Sequence, residues 1–352
     1  AFFERENQGS GTMSSGLCGL NHAMKQIFMK GRKPPAEHFR DNFVSNSEGI
    51  WIFFEERPAP NPKGVVFVVH GLAEDSSRYL HVAKHLNDKG FSVVLMDLEG
   101  HGRSDGERMH VRHFDSYVED VYGVVNHVLS RSKPLAALPR FLLGHCMGGL
   151  VAILCAADAC QEQYGVKWDG LVVTGPALIA DPKTATPFNM WLARTFGKAT
   201  PKLRIPPWVD PGPGHKYRVS GLDAAQHRYE QDPSLHYTVR GGLRIGTMLQ
   251  LLNAMSRANA EAGGMGTAYL ALHGGLDGFT LSEGTERWHE NTGSKDKTCR
   301  LVPGALHELM NEADPIRTEV LTTVSSWMTK RASGTRSSPP EGQASRGLPG
   351  GG

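Results

Sequence analysis

Cysteine is scarce in this 352-residue chain, and its five copies, at positions 18, 146, 155, 160 and 299, share no repeated spacing. An odd number without metal-site spacing argues for reduced thiols in a cytoplasmic setting rather than a disulfide framework. Long apolar runs are missing too: none approaches the roughly 18 residues needed to span a bilayer. Charge of one sign is absent, with 38 Lys+Arg against 36 Asp+Glu and a formal net charge of +2. The basic residues are scattered, so nucleic acid is not an expected partner. No internal repeat exists, which excludes a solenoid or propeller. What remains, 39% apolar and 21% charged residues, describes a globular protein able to bury a sizeable core, with room for one large α/β domain or two smaller ones.

The ends read differently from the middle. Residues 1–12 are polar and precede Met13, as a leader, tag or fragment edge would. Leu17, Leu20, Met24 and Phe28 allow a short amphipathic helix, and residues 1–37 as a whole are expected to be a flexible N-terminus. Residues 332–352 are Ser, Pro and Gly with few apolar side chains, the composition of a disordered tail.

Between them, residues 38–331 alternate strand and helix signals. Ile50-Trp-Ile-Phe-Phe54 reads as an early strand, and Val65-Val-Phe-Val-Val-His70 as a parallel strand buried on both faces. Tyr79, Val82, Ala83 and Leu86 fall at helical spacing, then Phe91-Ser-Val-Val-Leu-Met96 is the next strand. Asp115 is placed to cap a helix with Val118, Val121, Val125 and Val128 on its inner face. Strand Gly170-Leu-Val-Val-Thr174 follows. The alternation then breaks over about 176–264, where prolines crowd, so this stretch is expected to be a helical cap over the sheet's carboxyl edge. Strands Thr267-Ala-Tyr-Leu-Ala-Leu-His273 and Lys297-Thr-Cys-Arg-Leu-Val302 resume it. A last helix opens at Asp314-Pro315 and buries Ile316, Val320, Val324 and Trp327. Strands alternating with helices predict a mostly parallel, doubly wound sheet.

One stretch organises the chemistry: Arg140-Phe-Leu-Leu-Gly-His-Cys-Met-Gly-Gly-Leu-Val-Ala-Ile-Leu154, a buried strand, an abrupt glycine-bounded turn and an apolar helix. This is the layout of a nucleophile elbow, with Cys146 where the G-x-S-x-G pattern has serine. Covalent catalysis there needs a base, and an acid to orient it. In this fold they follow in the order acid, then histidine, on loops after late strands. Asp277 stands just past the strand ending at His273, and His307 just past the one ending near Val302. Both loops belong to the carboxyl edge, where open α/β sheets keep their sites. The oxyanion donors are then the backbone N–H of Met147 and one from the loop His70-Gly71-Leu72, for which Leu72 is the candidate. His145 is expected to turn away from the nucleophile. His110 and His113 have the spacing of a metal pair, but no third or fourth ligand stands out, so neither metal nor cofactor is expected.

His70-Gly-Leu-Ala-Glu-Asp-Ser-Ser-Arg-Tyr79, Gly100-His-Gly-Arg-Ser-Asp-Gly106, Gly144-His-Cys-Met-Gly-Gly149, Leu251-Leu-Asn-Ala-Met-Ser-Arg257 and Gly274-Gly-Leu-Asp277 with His307 occur together and in order. Over about residues 38–331 the chain thus resembles the monoacylglycerol lipase family of capped α/β-hydrolases, also called serine aminopeptidase-like or lysophospholipase-like. The resemblance implies hydrolysis of a monoacylglycerol or related lipid ester, with the acyl chain in an apolar tunnel under the cap. It also implies that Glu74 and Arg78 lie near the glycerol end and that Tyr229 is a cap tyrosine. The chain departs from the family lipase in having Met310 where a second histidine would follow the catalytic one by three residues. In the cap, Phe188, Trp191, Leu192 and Phe196 share one helical stripe. Exposed, that stripe would make peripheral membrane contact; otherwise it packs on the cap.

Cysteine changes the expected mechanism. A thiol beside His307 can still attack by passing its proton to the imidazole. The tetrahedral intermediate of an oxoester then holds a thiolate and an alkoxide, and the thiolate is the better leaving group. The larger sulfur also displaces the carbonyl from donors set for oxygen. Expected is a cysteine hydrolase slow on plain glycerides and better on thioesters, activated esters or lactones. The competing readings are a catalytically impaired lipid-binding module, and an acyltransferase or thioesterase using the same residues.

Overall fold

The computed structural model describes residues 41–180, 186–197, 199–204, 220–222 and 244–334. Eight strands form one sheet in the order β1-β2-β4-β3-β5-β6-β7-β8. They are β1 (Phe43–Ser45), β2 (Trp51–Arg57), β3 (Gly64–Val69), β4 (Phe91–Met96), β5 (Arg140–His145), β6 (Gly170–Thr174), β7 (Tyr269–Gly274) and β8 (Lys297–Val302). The first two pair antiparallel; from β4 through β8 every neighbouring pair is parallel.

The apolar runs become central strands because both sheet faces are covered. All six residues of β3 and of β4 are buried. Alternate side chains go to opposite layers: Val65, Phe67 and Val69 join one apolar cluster, Val66 and Val68 the other. The first layer holds helices Asp115–Arg131 and Met147–Ala156, the second Leu80–Asp88 and Ile316–Gly334. The valine stripe at 118, 121, 125 and 128 is buried as its spacing predicts. All ten residues of Met147–Ala156 are buried, the mark of a helix enclosed on every side.

Three boundaries differ from the sequence reading. β2 runs on to Arg57, because backbone pairing to β4 carries the charged residues Glu55, Glu56 and Arg57 along a strand edge. Helix 115–131 is capped by Phe114, with Asp115 inside its first turn. The last helix continues through Ala332, which is buried, to Gly334, past the expected tail boundary. The end of the expected cap insertion also packs on the elbow helix. Helix Ile245–Ala260 buries Ala254, Met255 and Ala258 in the same cluster as the Met147–Ala156 helix.

The described part of the insertion is tied down at its base. Helix Pro187–Gly197 packs against helix 245–260, where a Cβ on Gly197 would come within 2.3 Å of Leu249. Arg204 and Arg244 form an antiparallel bridge, and Glu107 pairs with both Lys202 (2.7 Å) and Arg244 (3.0 Å). Thr247 Oγ1 donates to the Met109 carbonyl (2.9 Å) and accepts from the Val111 N–H (3.2 Å).

Because β3, β5, β6, β7 and β8 are parallel and adjacent, their carboxyl ends share one edge. The loops that begin at His70, Cys146, Gly175, Gly275 and Pro303 therefore meet there, whatever their separation in sequence.

Candidate active site

Cys146 sits between β5 and the following helix at φ 52° and ψ −118°, a conformation that L-residues avoid. Such a residue costs on the order of 1–3 kcal/mol and persists only where its surroundings impose it. Here they do. Cys146 N–H donates to the Thr174 carbonyl (3.0 Å), and the Cys146 carbonyl accepts from Leu150 (3.1 Å) and Ala177 (3.1 Å). The helix presses so close to β3 that a Cβ on Gly148 would lie 2.3 Å from the carbonyl oxygens of Val69 and His70. Only glycine fits this crossing, and the sharp turn that lifts the thiol follows from it.

His307 reaches the elbow from the loop after β8. It lies near enough to Cys146 for the thiol to bear on its charge, and its Nδ1 donates to Asp277 Oδ2 (2.8 Å). Asp277, from the loop after β7, is fully enclosed. Its Oδ1 accepts the N–H groups of Phe279 (2.8 Å) and Thr280 (3.0 Å). Its Oδ2 also takes the Thr280 hydroxyl (2.8 Å) and faces His273 Nε2 (3.2 Å). Burial pushes this carboxyl up, but the charge of His307 and the histidine hydrogen bonds outweigh it and hold Asp277 well below the usual range. Burial likewise opposes a charge on His307, and Asp277 and then Cys146 overcome it, so the imidazole is raised well above its ordinary value. The Phe279 ring, 4.8 Å from the imidazole, shields the pair on one side.

The loop after β3 is fixed by a histidine that the sequence reading used only as a marker. His70 Nε2 accepts from the Leu98 N–H (3.0 Å), so Nδ1 carries the proton and donates it to the Gly71 carbonyl (2.7 Å). Glu74 N–H approaches the same carbonyl (3.4 Å), and Ala73 closes the turn at φ 67°. The peptide is planar and trans, so the Leu72 N–H points opposite to that anchored carbonyl. A methyl added to Gly71 would lie 3.1 Å from Cys146 Cβ, which puts this peptide beside the nucleophile. Met147, first in its helix, has no intrahelical acceptor for its N–H.

Glu74 and Arg78, the two residues assigned to the head-group end, are buried, 5% and 4% exposed. Glu74 Oε2 accepts from the Gly71 N–H (3.1 Å) and the Tyr79 hydroxyl (2.6 Å). Burial alone would raise its pKa; His145, Arg78 and Tyr79 bring it down to about 2. Arg78 pairs with Glu308, the residue after His307, and Glu308 also accepts from Asn311 (3.0 Å). An internal charge network thus joins the loop after β3 to the histidine loop. Tyr229 lies outside the described residues.

His145 is a partial correction. Its Nδ1 faces Thr174, as expected of a structural residue (3.0 Å to the carbonyl and to Oγ1). Yet its ring lies 4.7 Å from that of His307, and Nε2 is 3.7 Å from Glu74 Oε1 with no hydrogen-bond partner among the described residues. Burial lowers its pKa to about 4, so it presents a neutral ring to that of His307. His145, His273, Thr280 and Glu308 were all missed as site residues. Only Glu308 carried a local signal, a carboxylate beside the histidine, and its partner stands 230 positions earlier.

A thiol on a strained strand-to-helix turn, a carboxylate-held imidazole and an anchored loop peptide, all on one edge of an eight-stranded, mostly parallel sheet between helical layers, define an α/β-hydrolase. The chain belongs to the serine aminopeptidase, S33 family (Hydrolase_4), whose model matches residues 60–314. It is 34% identical over 312 residues to the monoglyceride lipase of Homo sapiens, covering 88% of this chain and 97% of that one. Against the monoacylglycerol lipase of Mycolicibacterium smegmatis it is 31% identical over 271 residues, covering 77% and 90%. Among solved structures, the monoacylglycerol lipase of Paleococcus ferrophilus superposes with a TM-score of 0.65 at 30% identity, covering 80% of this chain and 99% of that chain.

Proposed function

We propose that this chain, a carboxylic-ester hydrolase by family and relatives, cleaves fatty-acyl esters of the monoacylglycerol kind through a covalent acyl thioester on Cys146. The observation that carries the reading is a His307 whose Nδ1 is held by Asp277 Oδ2 (2.8 Å), which leaves Nε2 to serve Cys146. His307 takes the thiol proton, and the sulfur bonds to the ester carbonyl carbon. The oxyanion so formed lies against the N–H groups of Leu72 and Met147. Collapse breaks the carbon–oxygen bond; His307 returns the proton to the departing alkoxide, leaving an alcohol and the thioester. Water then adds to the thioester with His307 as base, and collapse releases the fatty acid and restores the thiol.

The first collapse is the weak step, because a thiolate leaves more readily than an alkoxide. Acyl thioesters and activated esters escape it, since their leaving group competes with the sulfur. Glu74 and Arg78 are assigned to the leaving-group end by the resemblance alone; both are buried, Glu74 bonded to Gly71 and Tyr79, and Arg78 to Glu308. Tyr229 is assigned to the cap side of the pocket by its resemblance alone. At the cap, Phe188 and Trp191 are 67% and 58% exposed and stacked on one another, which supports docking of this helix on a lipid surface.

The test compares oxoester and thioester turnover of the purified protein with Cys146→Ser and Cys146→Ala. The serine variant is expected to gain about tenfold or more on long-chain monoacylglycerol, while the alanine variant loses turnover of both ester types. No gain with serine sinks the leaving-group argument, and full activity with alanine places the chemistry elsewhere.

A further inference from the structure

The loop that delivers His307 carries a second buried carboxylate for which the reaction has no use. Glu312 is 1% exposed and grips backbone on both of its oxygens. Oε1 accepts the N–H of Leu306 (2.6 Å), the residue before His307. Oε2 accepts the N–H of Gly221 (2.6 Å) and approaches that of Ala313 (3.3 Å). Gly221 belongs to the insertion between β6 and β7, so one carboxylate joins that insertion to the histidine loop. The junction is doubled by the Ser220 hydroxyl, which donates to the Asn311 carbonyl (2.8 Å). It is also tight: a Cβ on Gly221 would lie 2.5 Å from Glu312 Oε2.

On its other side the same loop is fixed to the core. Glu308 pairs with Arg78, and His81 Nε2 meets the Met310 carbonyl (2.8 Å). Those anchors set the loop against the core; Glu312 is the side chain that spans to the insertion, beside the Ser220–Asn311 bond. Charge-assisted bonds from a carboxylate to two N–H groups are short and directional, so the clamp transmits displacement instead of absorbing it.

We infer that Glu312 is a positioning residue that ties the seating of the cap segment 220–222 to the placement of His307 against Cys146. It touches neither substrate nor reacting atom. The inference rests on the Cys146–His307 pairing proposed above.

Two variants of the full chain disturb the clamp from opposite ends. Glu312→Gln replaces one acceptor by an amide NH2 that confronts a backbone N–H. Gly221→Ala pushes on the carboxylate from the cap side and leaves the histidine loop untouched in sequence. The first readout is the pH profile of Cys146 alkylation by iodoacetamide, with the modified peptide assigned by mass spectrometry. The second is kcat and KM on a short, soluble acyl thioester.

Both variants are expected to shift the alkylation profile and to lower kcat by about tenfold to a hundredfold, with KM little changed. The double variant is expected to be no worse than the worse single, as one shared clamp requires. Wild-type alkylation and turnover in Gly221→Ala, or additive losses in the double variant, would overturn the coupling. If Glu312→Gln does not fold, Gly221→Ala decides alone by the same criterion. Wild-type alkylation of Cys146 that His307→Ala leaves unchanged would instead refute the functional reading itself, and that result is distinguishable from the first two.

Discussion

At Glu74 a carboxylate is enclosed three residues after the glycine that meets the nucleophile, and its ionised form is held by His145, Arg78 and Tyr79. Its pKa is about 2 in the folded chain against an ordinary 4.5, so it contributes stability above pH 4.5 that is lost as pH falls toward 2. Glu74→Gln is therefore expected to be less stable than the wild type at neutral pH, with the gap closing between pH 4.5 and 2. Chemical denaturation at a series of pH values checks this; a gap that stays constant across the window contradicts it. The three residues proposed to react were singled out from the sequence, and folding places them on one sheet edge. Cys146 and Asp277 stand just beyond apolar runs that form buried strands, whereas His307 follows β8, a largely exposed edge strand with Lys297 and Arg300 in it. Glu308 and His145 were not legible as site residues, because what each does depends on Arg78 and Glu74, placed beside them only by folding.

The strand-to-helix turn at 144–149 shows how an element is shaped by its neighbours. Gly148→Ala would drive a methyl into the carbonyl oxygens of Val69, the last residue of β3, and of His70 at 2.3 Å, so the helix must retreat from the sheet. The expected cost is about 3 kcal/mol or more, with loss of turnover even where the fold survives. Equilibrium unfolding and thioester kinetics measure the two effects, and wild-type values in both would show that the crossing tolerates a side chain. Strands such as β3 and β4 could be read directly, since six consecutive buried positions leave no other periodicity. The end of β2 could not, because its charged residues lie on a strand through backbone pairing alone. Helix 245–260 was ambiguous for a related reason: its apolar stripe suits a cap or a core equally, and its burial against the elbow helix exists only in the folded chain.

The exposed cap surface acts at the scale of the whole molecule, and no described helix is long and apolar enough to cross a membrane. Replacing both Phe188 and Trp191 by serine is expected to weaken co-sedimentation with phospholipid vesicles several-fold while sparing turnover of a short soluble thioester. Unchanged vesicle binding would assign the aromatic pair to cap packing. By itself the sequence determined the alternation of strands and helices, the turn that carries Cys146, and the order of acid and histidine, because apolar period and glycine spacing are local properties of the chain. Tertiary structure alone decided which charges face one another. Parallel pairing in the order β3-β5-β6-β7-β8 brings loops 230 residues apart onto one edge, where Arg78 meets Glu308 and Glu312 meets Gly221. Local pattern is silent on such pairs, since their energies exist only after the backbone between them has been folded away.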